Sequence, residues 1–527
     1  MSNAIRDKIY APLWWIVLLA LFLRVVFFHG ISPSDQFTYS RMAADIVQGN
    51  WNPGFHFEQT TRWGLLFPLA LSYKLFGIND YSSALFPLLI SLGTVVVGYF
   101  LAGFLGGLRA AILTGIALAV FPLEIIYATQ PMADSPLSFW LLLGLYYFVR
   151  ADSPSEMKHQ RKFFLFCGIA LGLAYATKFT AVLIAPFFLC LLIIRRRIEW
   201  KWAWIGVGFL TIFLAEYCFF YYMVGDGLYR FNLVRNDQAS NLLLSATGAG
   251  FNHETWIYLY WMLVDFHTVG IGFIILLFLI VRRFFLFSST PERILNNIWM
   301  LLLWSVVLCM ILSFYPQTTK PYLAIYKIEA YILMFSAPFL VTLGILLSRL
   351  KTRSQVIAIF LLIASSLPFV WLLQQSYRAN TDNMRAIAEF YQTHRDRPIY
   401  AHRTDQRLLR YYDGFQHNDL YKTYRFLKPG DVDPVEPINL KNTYVVINPP
   451  ILDRYKNDTY PYEILHPPGS WRVVYSYTRP ENIIITNAGK FVDLIDKLKL
   501  SPQITLKLRN KLTEISYQQP VIVYATN

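Results

Sequence analysis

The chain has 527 residues, of which 55% are hydrophobic, 17% aromatic and 15% charged, and its mean hydropathy is +0.39. Soluble domains carry about 25% charged residues, so this composition excludes an ordinary soluble protein and predicts a polytopic membrane protein. The formal net charge of +14 does not indicate nucleic-acid binding, because the basic residues follow membrane topology and form no stripe interleaved with polar aromatics.

Apolar runs of spanning length recur across the first 370 residues, and crossing hydrocarbon takes about 20 such residues. We predict about eleven membrane helices, near residues 12–30, 82–104, 109–127, 134–149, 163–178, 179–195, 203–224, 257–281, 298–315, 328–348 and 355–373. The pair around "AYATKFTAVLIAP" is either two short spans or one long broken span. No small-residue cleavage site follows the first run, so we expect that helix to be retained.

The distribution of Lys and Arg predicts the orientation. With a cytoplasmic N-terminus, the inside loops hold 17 of these residues and the longer outside segments hold 8. An odd number of spans then places the C-terminal tail outside the cytoplasm. The predicted location is the cell (inner) membrane.

The tail differs in composition from the rest of the chain and predicts a second domain. We place the boundary between a transmembrane domain, 1–373, and an extracytoplasmic α/β domain, 374–527. The stretches "NMRAIAEFYQTHRD" and "GKFVDLIDKLKL" are helix-like. Four β-branched and aromatic runs, bounded by Pro, Gly and Asn, are typical of strands: "RPIYAHR", "NTYVVINPP", "WRVVYSY" and "PVIVYAT".

Two carboxylates stand at predicted outer ends of membrane helices. Asp35 follows the first span, ahead of "FTYSRMAADIVQ" and "WGLLFPLALSYKLF", which we predict to be amphipathic helices in the interface. Asp134 lies between the third and fourth spans. Placing a carboxylate at the membrane boundary costs free energy, so such a residue is a functional candidate by default. Asp35 and Asp134 are each equally suited to capping the helix that follows.

Several cations lie on the same predicted outer face or inside a span. They are Arg24, Arg62, Lys178, Lys320 and Lys327. A cation within a span needs an anion, either a protein carboxylate or a lipid phosphate. Structural ion pairing explains each of them singly, whereas their convergence on an acid-bearing face favours the phosphate.

Other polar residues within the spans are weaker signals. Glu124, Glu216, Glu329, and Asp265 with His267 are expected to pair internally, and we assign no metal site to them. The four cysteines lie in apolar runs without a CxxC pair, which indicates buried, inert thiols.

Several motifs follow one another along the chain, from "LFLRVVFF" through "SDQFTYSRMA", "RWGLLFPLALSYKLFG", "AVFPLEIIYATQPMADSPLSFW", "AYATKFTAVLIAP" and "YYMVGDGLYRF" to "YILMFSAPFLVTLG". Their order resembles that in the polytopic GT-C glycosyltransferases, in particular the protein O-mannosyltransferase and lipid A aminoarabinose transferase family. The sequence departs from the family twice. Gln36 follows Asp35 where an acidic pair is common, and Glu329 and Ala330 precede Tyr331 where an Arg is common.

The resemblance implies an inverting transfer of a sugar from a polyprenyl-phosphate donor to an acceptor hydroxyl on the extracytoplasmic face. Such a transfer needs a carboxylate base for the acceptor and cations for the departing phosphate, but no protonating acid. Asp35 is the expected base, and Asp134 is expected to orient the acceptor or to hold Asp35 and a cation. The expected phosphate ligands are Arg62 and Lys178, followed by Arg24, Lys320 and Lys327.

Tyr39 and Glu58 are further candidates, for acceptor binding or another role in the site. The expected partners are the lipid-linked sugar, the bilayer, and a glycan, lipid or protein acceptor. No cofactor is expected, and no acidic cluster indicates a divalent metal. Two alternatives remain: a flippase or transporter for lipid-linked sugars, and a metal-dependent GT-C enzyme that transfers oligosaccharides.

Overall fold

The structure is a computed structural model. It describes residues 3–53, 58–196, 199–236, 254–286, 292–319, 322–325, 327–424, 440–456, 460–480 and 519–527, with isolated positions between 490 and 512. The chain divides into two compact units. The first, or membrane unit, comprises Met1–Phe28, Gly49–Leu71 and Ala84–Val370, and the second comprises His29–Gln48, Ser72–Ser83 and Trp371–Asn527. The C-terminal residues thus form a unit with two segments from the first predicted outer loop.

Helices make up most of the chain. In chain order they are α1 Asn3–Val26, α2 Asp35–Gln48, α3 Trp63–Phe76, α4 Asp80–Gly106, α5 Leu108–Ala119, α6 Pro122–Tyr127, α7 Asp134–Asp152, α8 Gln160–Thr177, α9 Ala185–Arg195, α10 Ala203–Val224, α11 Ile257–Val264, α12 Gly272–Leu286, α13 Glu292–Phe314, α14 Leu333–Leu347, α15 Thr352–Thr393, α16 Arg403–Tyr412, α17 Pro449–Arg454 and α18 Tyr462–Leu465.

Four of the described helical segments are long and apolar enough to cross a membrane: Asp80–Gly106, Trp200–Val224, Glu329–Leu347 and Thr352–Thr393. Shorter apolar helices accompany them. With its 42 residues, α15 is about 63 Å long at 1.5 Å per residue, roughly twice the thickness of a hydrocarbon core. It therefore continues well beyond the predicted span at 355–373.

Each predicted span has helical structure, but those at 109–127 and 257–281 are interrupted. The span at 109–127 breaks before Pro122, which starts α6 at a position where its missing N–H is not needed. The span at 257–281 breaks between α11 and α12, where Gly270 has a positive φ of 58°. The stretch at 163–195 forms two helices separated by a 3₁₀ segment, Phe179–Ile184.

Helices α8 and α10 pack with their backbones in close contact. A Cβ atom on Gly168 would lie 2.0 Å from the carbonyl oxygen of Ile205, and one on Gly208 would lie 2.2 Å from that of Leu165. Small residues permit this approach, as is common in membrane helix pairs. The packing places the C-terminal end of α8, followed by Lys178, beside the helix that carries Glu216.

A hairpin in the membrane unit joins β1 Pro316–Thr319 to β2 Tyr322–Ala324. The second unit contains the strands β3 Ile399–Ala401, β4 Tyr421–Thr423, β5 Tyr444–Ile447, β6 Arg472–Tyr477 and β7 Val521–Ala525. They form a five-stranded mixed sheet with the order β4-β3-β5-β7-β6. Strand β3 pairs in parallel with β4 and β5, and β7 pairs antiparallel with β5 and β6.

All four predicted strand runs form strands, and the first helix-like stretch, 383–396, begins inside α15. The core of the second unit includes Tyr424, Val445, Ile447 and Ile464. The second helix-like stretch, 489–500, lies almost entirely outside the described residues.

Candidate active site

A buried ion pair joins two helix ends of the membrane unit. Lys178 follows the last residue of α8, and its Nζ donates a 2.7 Å hydrogen bond to Oδ1 of Asp134, the first residue of α7. Their side chains are 6% and 2% exposed, respectively. Because a buried charge is costly unless it is paired, each side chain holds the other in place. The N-cap position of α7 is Ala133, and the described partner of the Asp134 carboxylate is the lysine.

Arg62 forms a second pair, just before α3. Its Nη2 and Nε donate to the two carboxylate oxygens of Glu58 at 2.7 and 3.2 Å. Glu58 begins the 3₁₀ segment Glu58–Thr61, and Arg62 follows its last residue, so this turn of the chain separates the two paired side chains. This bidentate geometry is the strong form of an arginine–carboxylate contact.

Glu58 also interacts electrostatically with more distant cations. Burial would raise the pKa of the Glu58 carboxyl, but Arg62, and after it Arg230 and Lys178, lower it, and the resulting pKa is below its usual value. The three cations therefore act on the same carboxylate. The structure brings the two best predicted phosphate ligands together and adds Arg230 to them.

The segment after Arg62 is packed tightly against the end of α8. A Cβ atom on Gly64 would lie 2.8 Å from the backbone nitrogen of Thr177, the residue before Lys178. Only glycine allows this approach of the two backbones. Lys178 in turn lies 4.6 Å from the centroid of the Tyr331 ring, a cation–π distance.

A third pair joins Arg230 to Glu216 on α10. Nη1 of Arg230 donates to Oε2 of Glu216 at 3.0 Å, and the two side chains are 1% and 4% exposed. The same Oε2 accepts a 2.5 Å hydrogen bond from Nε1 of Trp63. The predicted internal pairing of Glu216 is thus confirmed, and its partner is the residue that sequence reasoning missed.

Two of the weaker predicted phosphate ligands, Arg24 and Lys327, donate hydrogen bonds to hydroxyl or carbonyl oxygens of the protein. Arg24 donates to Oγ of Ser91 and to the carbonyl oxygens of Ala20 and Ala119. Lys327 donates to the carbonyl oxygens of Leu312 and Ser313 at the end of α13, which is a helix C-capping arrangement. These contacts are hydrogen bonds to neutral groups, whereas the alternative raised from the sequence was structural ion pairing. Lys320 lies outside the described residues.

Asp35 and Tyr39 belong to the second unit. Asp35 is the first residue of α2 and is partly buried, whereas Tyr39 is fully buried. Near Asp35, Nη1 of Arg407 donates to the carbonyl oxygen of Pro33 at 2.9 Å. Burial lowers the pKa of Arg407, and the Asp35 carboxylate partly offsets this.

Further polar residues of the spans also find partners inside the protein. Nε2 of His267 lies 3.0 Å from Oε2 of Glu329, and Glu124 accepts a 2.6 Å hydrogen bond from Ser135. Across the described ranges no group of three or more His, Cys, Asp or Glu side chains is arranged to hold a metal ion.

The fold combines apolar helices of spanning length with a cluster of charged side chains at helix ends. Residues 64–220 match the sequence model of the family described as dolichyl-phosphate-mannose-protein mannosyltransferase. No curated protein sequence matches the chain.

Solved structures share the fold at low sequence identity. ArnT from Cupriavidus metallidurans bound to undecaprenyl phosphate is 17% identical, with a TM-score of 0.57, and the match covers 88% of this chain and 96% of that one. The same protein in its apo state has a TM-score of 0.55 at 16% identity, with the same coverage.

The archaeal oligosaccharyltransferase AglB from Archaeoglobus fulgidus, in complex with an inhibitory peptide and a dolichol-phosphate, is 11% identical with a TM-score of 0.51. That match covers 100% of this chain and 89% of AglB. The resemblance to the GT-C membrane glycosyltransferases that the sequence indicated is confirmed.

Proposed function

We propose that the protein is an inverting glycosyltransferase. It moves a sugar from a polyprenyl-phosphate donor to an acceptor hydroxyl on the extracytoplasmic face of the inner membrane. The observation that carries this proposal is the cluster of three buried or nearly buried cations, Arg62, Lys178 and Arg230, which act on one carboxylate, Glu58. The structurally similar ArnT is described as bound to undecaprenyl phosphate, an anion of the kind that such a cluster suits.

The chemistry of the leaving group explains the cations. When the anomeric carbon is attacked, negative charge grows on the departing phosphate, and fixed positive groups in a water-poor site stabilise it. Arginine binds phosphate oxygens bidentately, while lysine acts as a point charge. Arg62, Arg230 and Lys178 together supply both kinds of contact.

Each cation of the cluster already has a carboxylate partner within 3.0 Å: Glu58, Glu216 or Asp134. The pairs with Glu216 and Asp134 hold Arg230 and Lys178 in position before a ligand arrives, which reduces the ordering cost of binding. The 2.7 Å contact with Lys178 supports a role for Asp134 in holding a cation. Asp35 remains our proposed general base for the acceptor hydroxyl.

The test compares the amount of polyprenyl phosphate released with the amount of acceptor glycosylated. Cells with and without the gene are compared by mass spectrometry of glycans and glycolipids, and the purified protein is incubated with the lipid-linked sugar and the acceptor so identified. A transferase releases one polyprenyl phosphate for each acceptor glycosylated. A flippase relocates the intact donor and releases none, and that result would refute the proposal.

The second alternative, a GT-C enzyme that transfers oligosaccharides, differs from the proposed function in its requirement for a divalent metal. Transfer that is lost on chelation of divalent metal and restored by adding the ion would favour the oligosaccharide-transferring alternative.

The role of the cation cluster is tested with a matched control variant. Asp152→Asn lies at the opposite end of α7 from Asp134, where Asp152 binds Arg195 at 2.6 and 2.7 Å. Transfer by this variant should equal that of the wild type, whereas Lys178→Met should abolish it.

A further inference from the structure

Glu216 accepts hydrogen bonds from two segments of the chain, one containing Arg62 and the other containing Arg230, which are cations of the proposed phosphate site. One oxygen, Oε2, accepts from Nε1 of Trp63 at 2.5 Å and from Nη1 of Arg230 at 3.0 Å. Trp63 follows Arg62 directly in the chain. A single buried carboxylate on α10 therefore fixes Arg230 and the residue next to Arg62.

The guanidinium of Arg230 is also held from one face. Its central carbon lies 4.7 Å from the centroid of the Tyr175 ring, within the range of a cation–π contact. The carboxylate on one nitrogen and the ring on one face together define both the position and the plane of the group.

This arrangement leaves one edge of the guanidinium unused. Nε and Nη2 of Arg230 are buried and have no hydrogen-bond partner among the described residues. These two nitrogens share an edge of the planar group and point in parallel, the geometry that binds two oxygens of a carboxylate or phosphate. In Arg62 the same edge holds both oxygens of Glu58.

A cavity of about 340 Å³ adjoins the pair and is lined by Glu216 and Arg230 together with apolar and aromatic side chains such as Tyr175, Phe179 and Phe213. An unpaired buried donor costs free energy, so the open edge is a feature that a bound anion would satisfy. Glu216 binds Nη1, the guanidinium nitrogen that is not part of this edge.

We infer that Glu216 is a positioning residue that holds Arg230 with its Nε–Nη2 edge presented to the phosphate of the lipid carrier. This inference rests on the proposed function, since it requires a lipid phosphate as ligand. Glu216 makes no contact with the ligand and acts through Arg230. Its loss therefore weakens carrier binding only as far as it displaces Arg230.

A double-mutant cycle tests the inference, with undecaprenyl phosphate as the probe and the full-length protein in lipid nanodiscs. We expect E216Q and R230Q each to weaken binding about tenfold. The double variant E216Q/R230Q should bind within about twofold of R230Q alone, because a residue that acts through Arg230 has no effect once Arg230 is gone. If E216Q costs the same factor in the R230Q background, the inference is overturned.

Stability and kinetics separate positioning from simple structural support. E216Q leaves Arg230 as an uncompensated buried charge, whereas the double variant replaces the ion pair with two neutral amides; should E216Q not fold, the comparison of the double variant with R230Q still decides. W63F, which removes the other donor, should weaken binding less than E216Q. In the transfer assay E216Q should raise KM for the donor and lower kcat, and both effects should disappear in the R230Q background; losses of the same size in that background would contradict the inference.

The two proposals fail in different ways. A wild-type protein that binds no undecaprenyl phosphate, or any other polyprenyl phosphate, would refute the proposed function and this inference with it. A wild type that binds the probe, combined with additive effects in the cycle, would refute the role of Glu216 alone. Asp152→Asn should leave binding unchanged and serves as the control for replacing a paired carboxylate.

Discussion

Lys178 and Asp134 are 44 residues apart in the chain, yet the ammonium of one lies 2.7 Å from the carboxylate of the other. The contact joins the end of α8 to the start of α7, and both side chains are almost completely buried. A pair in this environment is only weak evidence for stability by itself, because desolvation offsets much of the attraction. Its position beside Glu58, Arg62 and Tyr331 indicates that it serves the site.

Breaking this pair from either side should cost both stability and transfer. We expect Lys178→Met and Asp134→Asn each to destabilise the membrane unit by about 3–5 kcal/mol, because each leaves an unpaired buried charge. The double variant, which leaves neither charge, should be more stable than either single variant. Thermal unfolding in nanodiscs measures the order of the three.

Transfer activity should follow a different order from stability. Lys178→Met and the double variant both lack a cation for the phosphate, and each should lose about 100-fold or more in rate, as when one preorganised charge-stabilising donor is removed. Recovery of transfer in the double variant along with its stability would show that Lys178 is structural only.

Arg62 and Glu58 should have opposite effects on carrier binding. Glu58 occupies the bidentate edge of Arg62, so Glu58→Gln should free that edge for a phosphate and tighten binding of undecaprenyl phosphate severalfold. Arg62→Ala removes the edge and should weaken binding about tenfold, with a smaller effect on the acceptor. Binding titrations of the two variants in parallel provide the measurement.

Two outcomes would contradict this account. If Glu58→Gln weakens binding as much as Arg62→Ala, Glu58 is needed to hold the cation rather than competing with the ligand. If Arg62→Ala weakens donor and acceptor use equally, Arg62 is not a phosphate ligand.

Much of the architecture was predictable because it rests on local patterns. The apolar runs, the two helices after Asp35 and the four β-branched runs of the tail all form the expected elements. The prominence of Lys178 and Asp134 was also predictable, since a charge at a membrane boundary is conspicuous in an apolar sequence.

The pair between Glu216 and Arg230 was not predictable from such patterns, because it depends on a reversal of the chain. Gly225 ends α10 with a left-handed φ of 77°, and residues 229–236 form a new helical stretch that turns Arg230 back towards α10. The available signal was "VGDG", a glycine helix stop and turn, with a span carboxylate before it and an arginine after it. The breaks at Pro122 and Gly270 carried similar signals inside apolar runs that hydropathy treats as continuous.

Asp35→Asn should abolish transfer while leaving the fold intact. A general base contributes about 10²–10⁴-fold, and the asparagine keeps the size of the side chain but accepts no proton. Because Asp35 is only partly buried at the start of α2, thermal unfolding should change little. Rates of transfer and binding of the donor are the measurements.

A neighbouring acid on the same helix provides the control for Asp35. Asp45 is paired with Arg41 at 2.9 Å on α2, and Asp45→Asn should retain normal transfer. Near-normal transfer by Asp35→Asn would refute the assignment of the base, and a loss shared by both variants would point to damage to α2.

In the second unit, a buried carboxyl should make stability depend on pH. Asp405 is fully buried and accepts a 3.1 Å hydrogen bond from Nδ2 of Asn448. Burial raises the pKa of Asp405 from 3.8 to about 7, although hydrogen bonds from Asn448 and Asn380 partly oppose the rise. The folded protein therefore keeps a proton on Asp405 at pH values where the unfolded chain has lost it.

The sign of the effect follows from the raised pKa. The contribution of Asp405 to stability is fully present below about pH 4, falls as the pH rises towards 7, and is constant above that, with a total change of about 4 kcal/mol at 1.4 kcal/mol per pH unit. Hydrogen exchange of strands β3 and β5, followed from pH 5 to pH 8, should show faster opening at the higher pH. Asp405→Asn should remove this part of the slope, whereas replacing the exposed Asp419 by Asn should preserve it. An unchanged slope in Asp405→Asn would show that the carboxyl is ionised in the folded protein throughout this range.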